Sequence, residues 1–440
     1  MTLKIFAVTV NMDLKDTLDR FMQAYKVKPT RKIAVAVSGG CDSMALALLA
    51  YSWAKTPIIA ITVDHRLRKE SKDEAEQVSR WMQKHGIEHH ILKWDGEKPP
   101  SNIQANAREA RYNLLTEFCN QNRIKTLLVA HNKEDQAETL LMRLMRGSGI
   151  EGMCGISEDT NINEVRILRP LLDVNKNKLK SYLRKQQQGW IEDPSNRNEK
   201  FTRVQVRNFI NNSPEPDLLV ERLANSCKTL QQSNSYIEEK IKQDIKEVVN
   251  IRPEGYCILD IEKFKSLHKE SAIKILSRVI KSVGGEYYKP RFEKTDSLYK
   301  QILERKYNAT LGGCEIFESK KQKEWGKLFI IKENAAPQHN LPLNGKSSII
   351  WDGRFMCSLN KKDISGYYVG ALTENGFAEL LKSDKELSRV SLPRKIIFSL
   401  PALQTLEKIV AAPHISYYEN NEFEDLFDVR FLDELLSLPQ

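Results

Sequence analysis

The sequence predicts an α/β protein: a doubly wound parallel sheet, followed by a helical domain and a smaller mixed α+β domain at the carboxyl end. Three observations carry this. A short β-branched run, Ile33-Ala34-Val35-Ala36-Val37, meets a Ser38-Gly39-Gly40 turn, and a longer Ala/Leu-rich run, Met44 to Trp53, follows. Strand-like and helix-like stretches then alternate up to about Gly147. Past the linker Asn211-Asn212-Ser213-Pro214-Glu215-Pro216 a long helix, about 218–250, replaces that alternation, and beyond about 338 the chain turns strand-like, at 347–351 and 394–398. The expected domains are therefore 1–212, 213–337 and 338–440.

In order, residues 33–37 read as a buried parallel strand, being short, apolar and β-branched. The run over 43–54 lacks β-branching and reads as a helix. Strand 58–63, helix 72–85, strand 89–93, helix 103–119, strand 126–130 and helix 133–145 continue the rhythm of a parallel sheet. Three strand ends carry polar residues: Ser38-Gly39-Gly40, Asp64-His65-Arg66 and His131-Asn132. Ligands of such sheets gather beyond the carboxyl ends of the strands, so one crevice would collect all three.

With 440 residues the chain is long enough for two or three domains, each with its own core. A net charge of +10 and a pI near 9.0 favour polyanionic partners, although a solvated surface of scattered lysines accounts for the same numbers. Seven cysteines, widely spaced and without a C-x-x-C pair, argue against a zinc ribbon, an iron–sulfur site or a disulfide framework. Their odd count suits a reducing compartment. No apolar run is long enough to span a membrane. The patch Ile5 to Val10 lacks a following cleavage site, so no signal peptide is expected.

Several constellations could carry chemistry. The two glycines after the first strand let the backbone N–H groups of Gly39, Gly40 and Cys41 face an anion at a helix start, and an ordinary tight turn would use them equally well. Arg108 and Arg111 share one helix face, able to clamp a phosphate or to lie solvated beside Glu109. Asp135 and Glu138 stand one turn apart near a helix start, suited to a metal or an ammonium group, or merely to the helix dipole. Asp64-His65 fits a capping turn. The glycine-dense Arg146 to Met153 ends a helix, and Glu158 to Asn163 reads as a linker. Between Arg166 and Arg207 there are 11 Lys/Arg against 4 Asp/Glu, with Trp190 interleaved; a single-stranded nucleic-acid surface and a solvated basic face both fit.

The segment Ser38-Gly39-Gly40-Cys41-Asp42-Ser43 resembles the SGGxDS pyrophosphate-binding (PP) loop of the N-type ATP pyrophosphatases. Further matches narrow the likeness. Val63 to Arg68 follows VDHxLR, and Asn102 to Tyr112 is similar to N-x-x-Q-x-x-A-R-x-x-R-Y, matching from Gln104 onward with one residue fewer after Asn102. His131 to Thr139 follows HHxDDQxET, departing at Asn132 and Glu134, and Arg146 to Met153 follows R-G-[ST]-G-x-x-G-[LM]. Arg169-Pro170-Leu171-Leu172, then Trp190 to Asn196, then Arg203 to Asn208 appear in the expected order. Over roughly 30–212 the chain resembles the tRNA(Ile)-lysidine synthetase family, and Thr310 to Gly313 is similar to a TLGG element of its first carboxyl-terminal domain.

That resemblance implies a PP-loop fold and a cytoplasmic ligase. ATP would adenylate the wobble cytidine of tRNA-Ile bearing a CAU anticodon, releasing pyrophosphate. Free L-lysine would then displace AMP, changing codon recognition from AUG to AUA. Ser38, Gly39, Gly40, Cys41, Asp42 and Ser43 would bind the nucleotide, and Asp42 and Asp135 would hold Mg2+. Asp42, Arg111, Asp135 and Glu138 would be catalytic. Arg108, Arg111, His131, Arg203 and Arg207 would bind substrate. A homodimer stays open. Two rivals remain: a tRNA thiolase on the same loop, which would need a sulfur-carrying cysteine pair or cluster, and a non-catalytic RNA-binding protein.

Overall fold

Alternating side chains of the first strand reach two different cores, so helices must cover both faces of its sheet. The computed structural model describes residues 13–66, 70–94, 103–192, 202–286, 288–319, 325–333, 340–343, 348–361, 365–420, 422–433 and 435. The patch at 5–10, Leu67-Arg68, Ser101-Asn102 and Asp193 to Asn196 lie outside them. The chain divides into two compact units, Met1–Asn234 and Ser235–Pro439.

In the first unit the elements run α1 (Leu14–Ala24), β1 (Ala34–Ala36), α2 (Cys41–Trp53), β2 (Ile59–Asp64), α3 (Ser71–Lys84), β3 (Glu88–Lys93), α4 (Ile103–Gln121), β4 (Thr126–Leu128), α5 (Lys133–Met145), α6 (Ile150–Met153), β5 (Asp159–Ile162), β6 (Val165–Leu168), α7 (Lys176–Lys185) and α8 (Thr202–Asn211). Helix α9 (Pro216–Val248) carries the chain past Asn234. The sheet order is β3-β2-β1-β4-β6-β5, parallel throughout except for the β5–β6 pair. The order reverses between β1 and β4, the place where such sheets open a crevice. Val35, Leu128 and Leu168 pack with Met44, Leu49, Val78, Leu179 and Leu183 on one face. On the other, Ala34, Ile59, Ile61, Leu127 and Ile167 meet Tyr112 and Leu115 of α4. Helix α2 is apolar all round and buried from Ser43 to Ala50, as a central helix between sheet and outer helices must be.

One expectation for this unit changes, and one is decided. Residues 158–163 are no linker: β5 pairs with β6 through Asn163 and Glu164, both with positive φ (48° and 64°), which matches the right-handed twist of a two-residue hairpin. Of the two readings of Trp190, in the core or as a stacking platform, the structure takes the first: the ring is partly buried and packs against the main core.

The second unit holds more sheet than helix-oriented reading suggests. Five antiparallel strands, β7 (Val249–Arg252), β8 (Tyr256–Asp260), β9 (Ala309–Leu311), β10 (Cys314–Glu318) and β11 (Lys327–Lys332), lie in the order β7-β8-β11-β10-β9. Helices α10 (Ile261–Lys265), α11 (Lys269–Gly284) and α12 (Phe292–Leu303) accompany them, and Leu276, Val279, Leu298 and Ile302 close the core over Leu259, Ile316 and Ile330. Gly312 and Gly313 (φ 56° and 70°) make the β9–β10 turn, a conformation that favours residues without a Cβ. Beyond these come β12 (Leu341–Pro342), β13 (Ser348–Trp351), β14 (Phe355–Leu359), β15 (Tyr368–Ala371), α13 (Glu374–Ser383), α14 (Arg394–Phe398), β16 (Pro401–Gln404), β17 (Ile409–Ala412), β18 (Tyr417–Tyr418), α15 (Glu422–Leu426) and β19 (Phe427–Phe431). They form the sheets β12-β15-β16-β17-β18 and β13-β14-β19. The strand expected at 394–398 is a helix instead: Pro393 caps it, and adjacent Ile396 and Ile397 both bury, which one helical turn against a core allows and a half-exposed strand does not.

Candidate active site

The PP-loop is held from within and from behind. The Ser38 N–H donates to Ser43 Oγ (3.1 Å), and Ser43 Oγ donates to the Gly40 carbonyl (3.0 Å). Gly39 adopts φ 84°, and behind it the Ile191 N–H donates to its carbonyl (2.9 Å). A Cβ at Gly39 would come 2.8 Å from both Ile191 Cδ1 and Val78 Cγ2, so this position wants glycine twice over. Helix α2 starts at Gly40 with no side-chain cap, leaving its first N–H groups to face an incoming anion. Cys41 is buried, and burial with the Asp42 charge pushes its thiol up to about 12, so it serves as backbone rather than nucleophile.

Helix α5 presents the carboxylates. Asn132 caps it reciprocally with Asp135: the Asp135 N–H donates to Asn132 Oδ1 (2.9 Å) and the Asn132 N–H to Asp135 Oδ2 (3.0 Å). The departure from the family pattern at Asn132 thus has a structural use, since Asn is a strong N-cap. Glu134, the other departure, accepts the Lys176 backbone N–H through both oxygens (3.0 and 3.1 Å) and so caps α7. Burial pushes the Asp42 carboxyl above the usual aspartate range; Lys176 offsets part of this, and the charge of Asp135 adds to it. Lys176 links the two elements: its Nζ stands 3.8 Å from Asp42 Oδ2, and its backbone N–H is held by Glu134, the residue before Asp135. Among the described residues no group of three or more His, Cys, Asp or Glu side chains makes a metal cage. A pair of carboxylates is nevertheless what Mg2+ uses when phosphate oxygens and water complete its shell.

Glu138 is 2% exposed and fully engaged. Arg203 Nε donates to its Oε2 (2.7 Å), and Arg207 donates through Nε to Oε1 (2.6 Å) and through Nη2 to Oε2 (3.2 Å). Arg203 Nη2 also reaches Asp135 Oδ1 (2.7 Å). The two arginines expected on the nucleic acid are thus clamped to the two carboxylates expected to hold metal and amine. The reason is local: α5 packs on α8, and a carboxylate this deep needs a cationic partner.

The remaining expected residues form a cationic patch around His131. Burial, then the charges of Arg169, Arg108, Arg111 and Arg203, hold its imidazole well below the usual histidine range, and its Nδ1 is buried without a hydrogen-bond partner. The Arg108 and Arg111 guanidiniums flank the Tyr112 ring at 5.4 and 5.6 Å. Burial would raise the Tyr112 phenol, but Arg169, Arg108 and Arg111 outweigh it and draw it down. So much positive charge around neutral His131 makes an anion receptor. Asp64, by contrast, accepts from Ser71 Oγ (2.7 Å) and the Arg66 N–H (2.9 Å), a capping turn at the head of α3.

Residue-by-residue reading missed two participants. Arg169 is 4% exposed and donates to the Ser157 carbonyl (2.9 Å) and Thr160 Oγ1 (3.1 Å), so its charge is fixed at the site edge. Its place in Arg169-Pro170-Leu171-Leu172 could have flagged it. Lys176, 3.8 Å from Asp42 Oδ2, carries no signal in a lysine-rich chain.

Comparison with known proteins agrees with this geometry. The PP-loop domain family matches residues 11–213. A tRNA(Ile)-lysidine synthase from Wolbachia pipientis wMel is 33% identical over 404 residues, 90% of this chain and 91% of that protein. Another from Wolbachia sp. subsp. Brugia malayi (strain TRS) is 32% identical, covering 93% and 94% of the two chains. One from Orientia tsutsugamushi (strain Boryong) is 32% identical, covering 92% and 94%. Likeness of this depth, running nearly end to end and including the PP-loop domain, makes the chain a member of the tRNA(Ile)-lysidine synthase family.

Proposed function

We propose that the protein ligates free L-lysine to the wobble cytidine of a CAU-anticodon tRNA-Ile in the cytoplasm, consuming ATP and releasing AMP and pyrophosphate. The observation that supports this is the link from the PP-loop to the head of α5: Lys176 reaches Asp42 Oδ2 (3.8 Å) and is held through its backbone by Glu134, and the next residue, Asp135, is held by Arg203 (2.7 Å). A phosphate loop, a cation site and an anion receptor in one crevice suit transfer of an adenylyl group.

In the first step the cytidine carbonyl oxygen attacks the α-phosphorus, and the bond to pyrophosphate breaks. Ser38, Ser43 and the N–H groups of Gly39, Gly40 and Cys41 hold the departing pyrophosphate. Asp42 and Asp135 would hold Mg2+, which supplies charge neutralisation at the leaving group. Arg111 and Arg108 bind the adenylate phosphate, and His131, kept neutral, lines the same wall.

In the second step the ε-amine of lysine attacks the activated ring carbon, the carbon–oxygen bond breaks and AMP leaves. With Asp135 on the metal, Glu138 receives the ammonium group and the proton it sheds. In the free protein Arg203 and Arg207 neutralise these carboxylates; when tRNA and lysine bind, the ammonium takes over part of that contact and the guanidiniums turn toward RNA phosphate.

Pyrophosphate release from ATP, measured with and without tRNA-Ile and lysine, tests the whole reading. A non-catalytic RNA-binding protein gives none. The division of labour is tested by trapping adenylated tRNA with Asp135→Asn and Glu138→Gln. At least one variant should form the adenylate yet discharge it to lysine roughly 10²- to 10⁴-fold more slowly. Wild-type discharge in both would leave the pair as partners of α8 alone.

A further inference from the structure

Helix α7 carries five Lys/Arg and no acidic residue over its ten positions. Its head is anchored firmly, because both Glu134 oxygens accept the Lys176 backbone N–H. The tip of the Lys176 side chain reaches the PP-loop, with Nζ 3.8 Å from Asp42 Oδ2 and 38% of the side chain exposed. Such a long, partly solvated pair contributes little to stability, so folding alone gives little reason for it. Lys180, one turn on, joins Lys176 in lowering the Cys41 thiol against the effect of burial, so both ammonium groups act on the first turn of α2. A cation held at Asp42 would repel the neighbouring ammonium, and the pyrophosphate end of ATP on the PP-loop would offer it a denser negative charge than a single carboxylate.

We propose that Lys176 is a phosphate ligand of this site: it holds Asp42 in the free protein and swings to the β,γ-phosphate oxygens when nucleotide binds. A flexible four-carbon stem carrying a compact charge suits such a move better than a rigid fork. The inference rests on the ATP-consuming reading of the same loop.

The test is calorimetric binding of inorganic pyrophosphate, ATP and AMP, each with Mg2+, to the full chain and to Lys176→Met, Lys176→Arg and Lys178→Met. Loss of one charged contact should weaken pyrophosphate and ATP roughly ten- to hundredfold in Lys176→Met. AMP affinity should stay within about twofold, because AMP lacks the phosphates that Lys176 reaches. Lys176→Arg should recover most of the loss, and Lys178→Met, an exposed neighbour, should match wild type. Unchanged pyrophosphate affinity in Lys176→Met overturns the proposal, as does an equal loss of AMP and pyrophosphate, which would mark Lys176 as a packing residue. A wild-type protein that binds pyrophosphate but releases none with tRNA-Ile and lysine would instead refute the ligase reading.

Discussion

His131 shows how much one buried side chain can say about a site. Its imidazole stays neutral because water is excluded and guanidiniums surround it. His89 is held down too, to about 4, by burial and by the charge of His90, while its Nε2 pairs with Thr62 Oγ1 (2.8 Å). The sign of the linkage follows. Below the ordinary histidine value near 6.5, the unfolded chain binds protons that the folded chain refuses. Stability is therefore full above that value and is lost as pH falls toward the folded one. For His89 the window runs from about 6.5 to about 4. Thermal melts should show the transition temperature dropping between pH 7 and pH 5, and His89→Gln, which keeps a partner for Thr62, should flatten part of that drop. An unchanged slope would place the titration elsewhere.

At the scale of elements, the α5–α8 contact matters most. Arg207→Ala removes two hydrogen bonds from a buried carboxylate and leaves Arg203 to neutralise it, a loss of about 1.5–3 kcal/mol in equilibrium denaturation. A smaller loss would mean that α8 is held by its apolar side, where Val206 and Ile210 pack on Ala137. The helices and strands between residues 33 and 145 were legible because periodicity and changes of composition announce them: helix α5 begins at Lys133, as the sequence predicts, whereas α1, β5, β6 and α7 were not foreseen. The pairing of α8 with α5 was not. Both segments read as separate polar faces, and nothing in Arg203 or Arg207 reveals that its partner lies 65–69 positions earlier. Helix α14 was misread for a simpler reason, since five residues with adjacent isoleucines carry no usable period.

For the whole molecule, charge and division into units are the informative properties. A chain of net charge +10 that binds a polyanion should lose affinity linearly in log–log salt titrations. Arg184 and Lys185 are exposed in the last turn of α7. Replacing both with Ala should reduce the slope by about 1.5–2 while leaving ATP binding intact, as two lost phosphate contacts would. An unchanged slope would take the end of α7 off the RNA. Among the described residues no helix is long and apolar enough to cross a membrane. The sequence placed every expected site residue in the first unit, because chemistry there rides on short motifs. The second unit was harder to read: its strands are two to six residues long, too short to show a period, and the pairs β8–β11, β12–β15, β15–β16 and β14–β19 join stretches far apart in the chain.

The hydrogen bond from Ile191 to the carbonyl of Gly39 ties two far-separated stretches into one opening event. An amide can exchange with solvent only when its acceptor lets go. The Ile191 amide therefore reports from outside the PP-loop on whether the loop itself is closed. Nucleotide that stiffens the loop from the front should slow deuterium uptake at its back, in a residue that never meets the ligand.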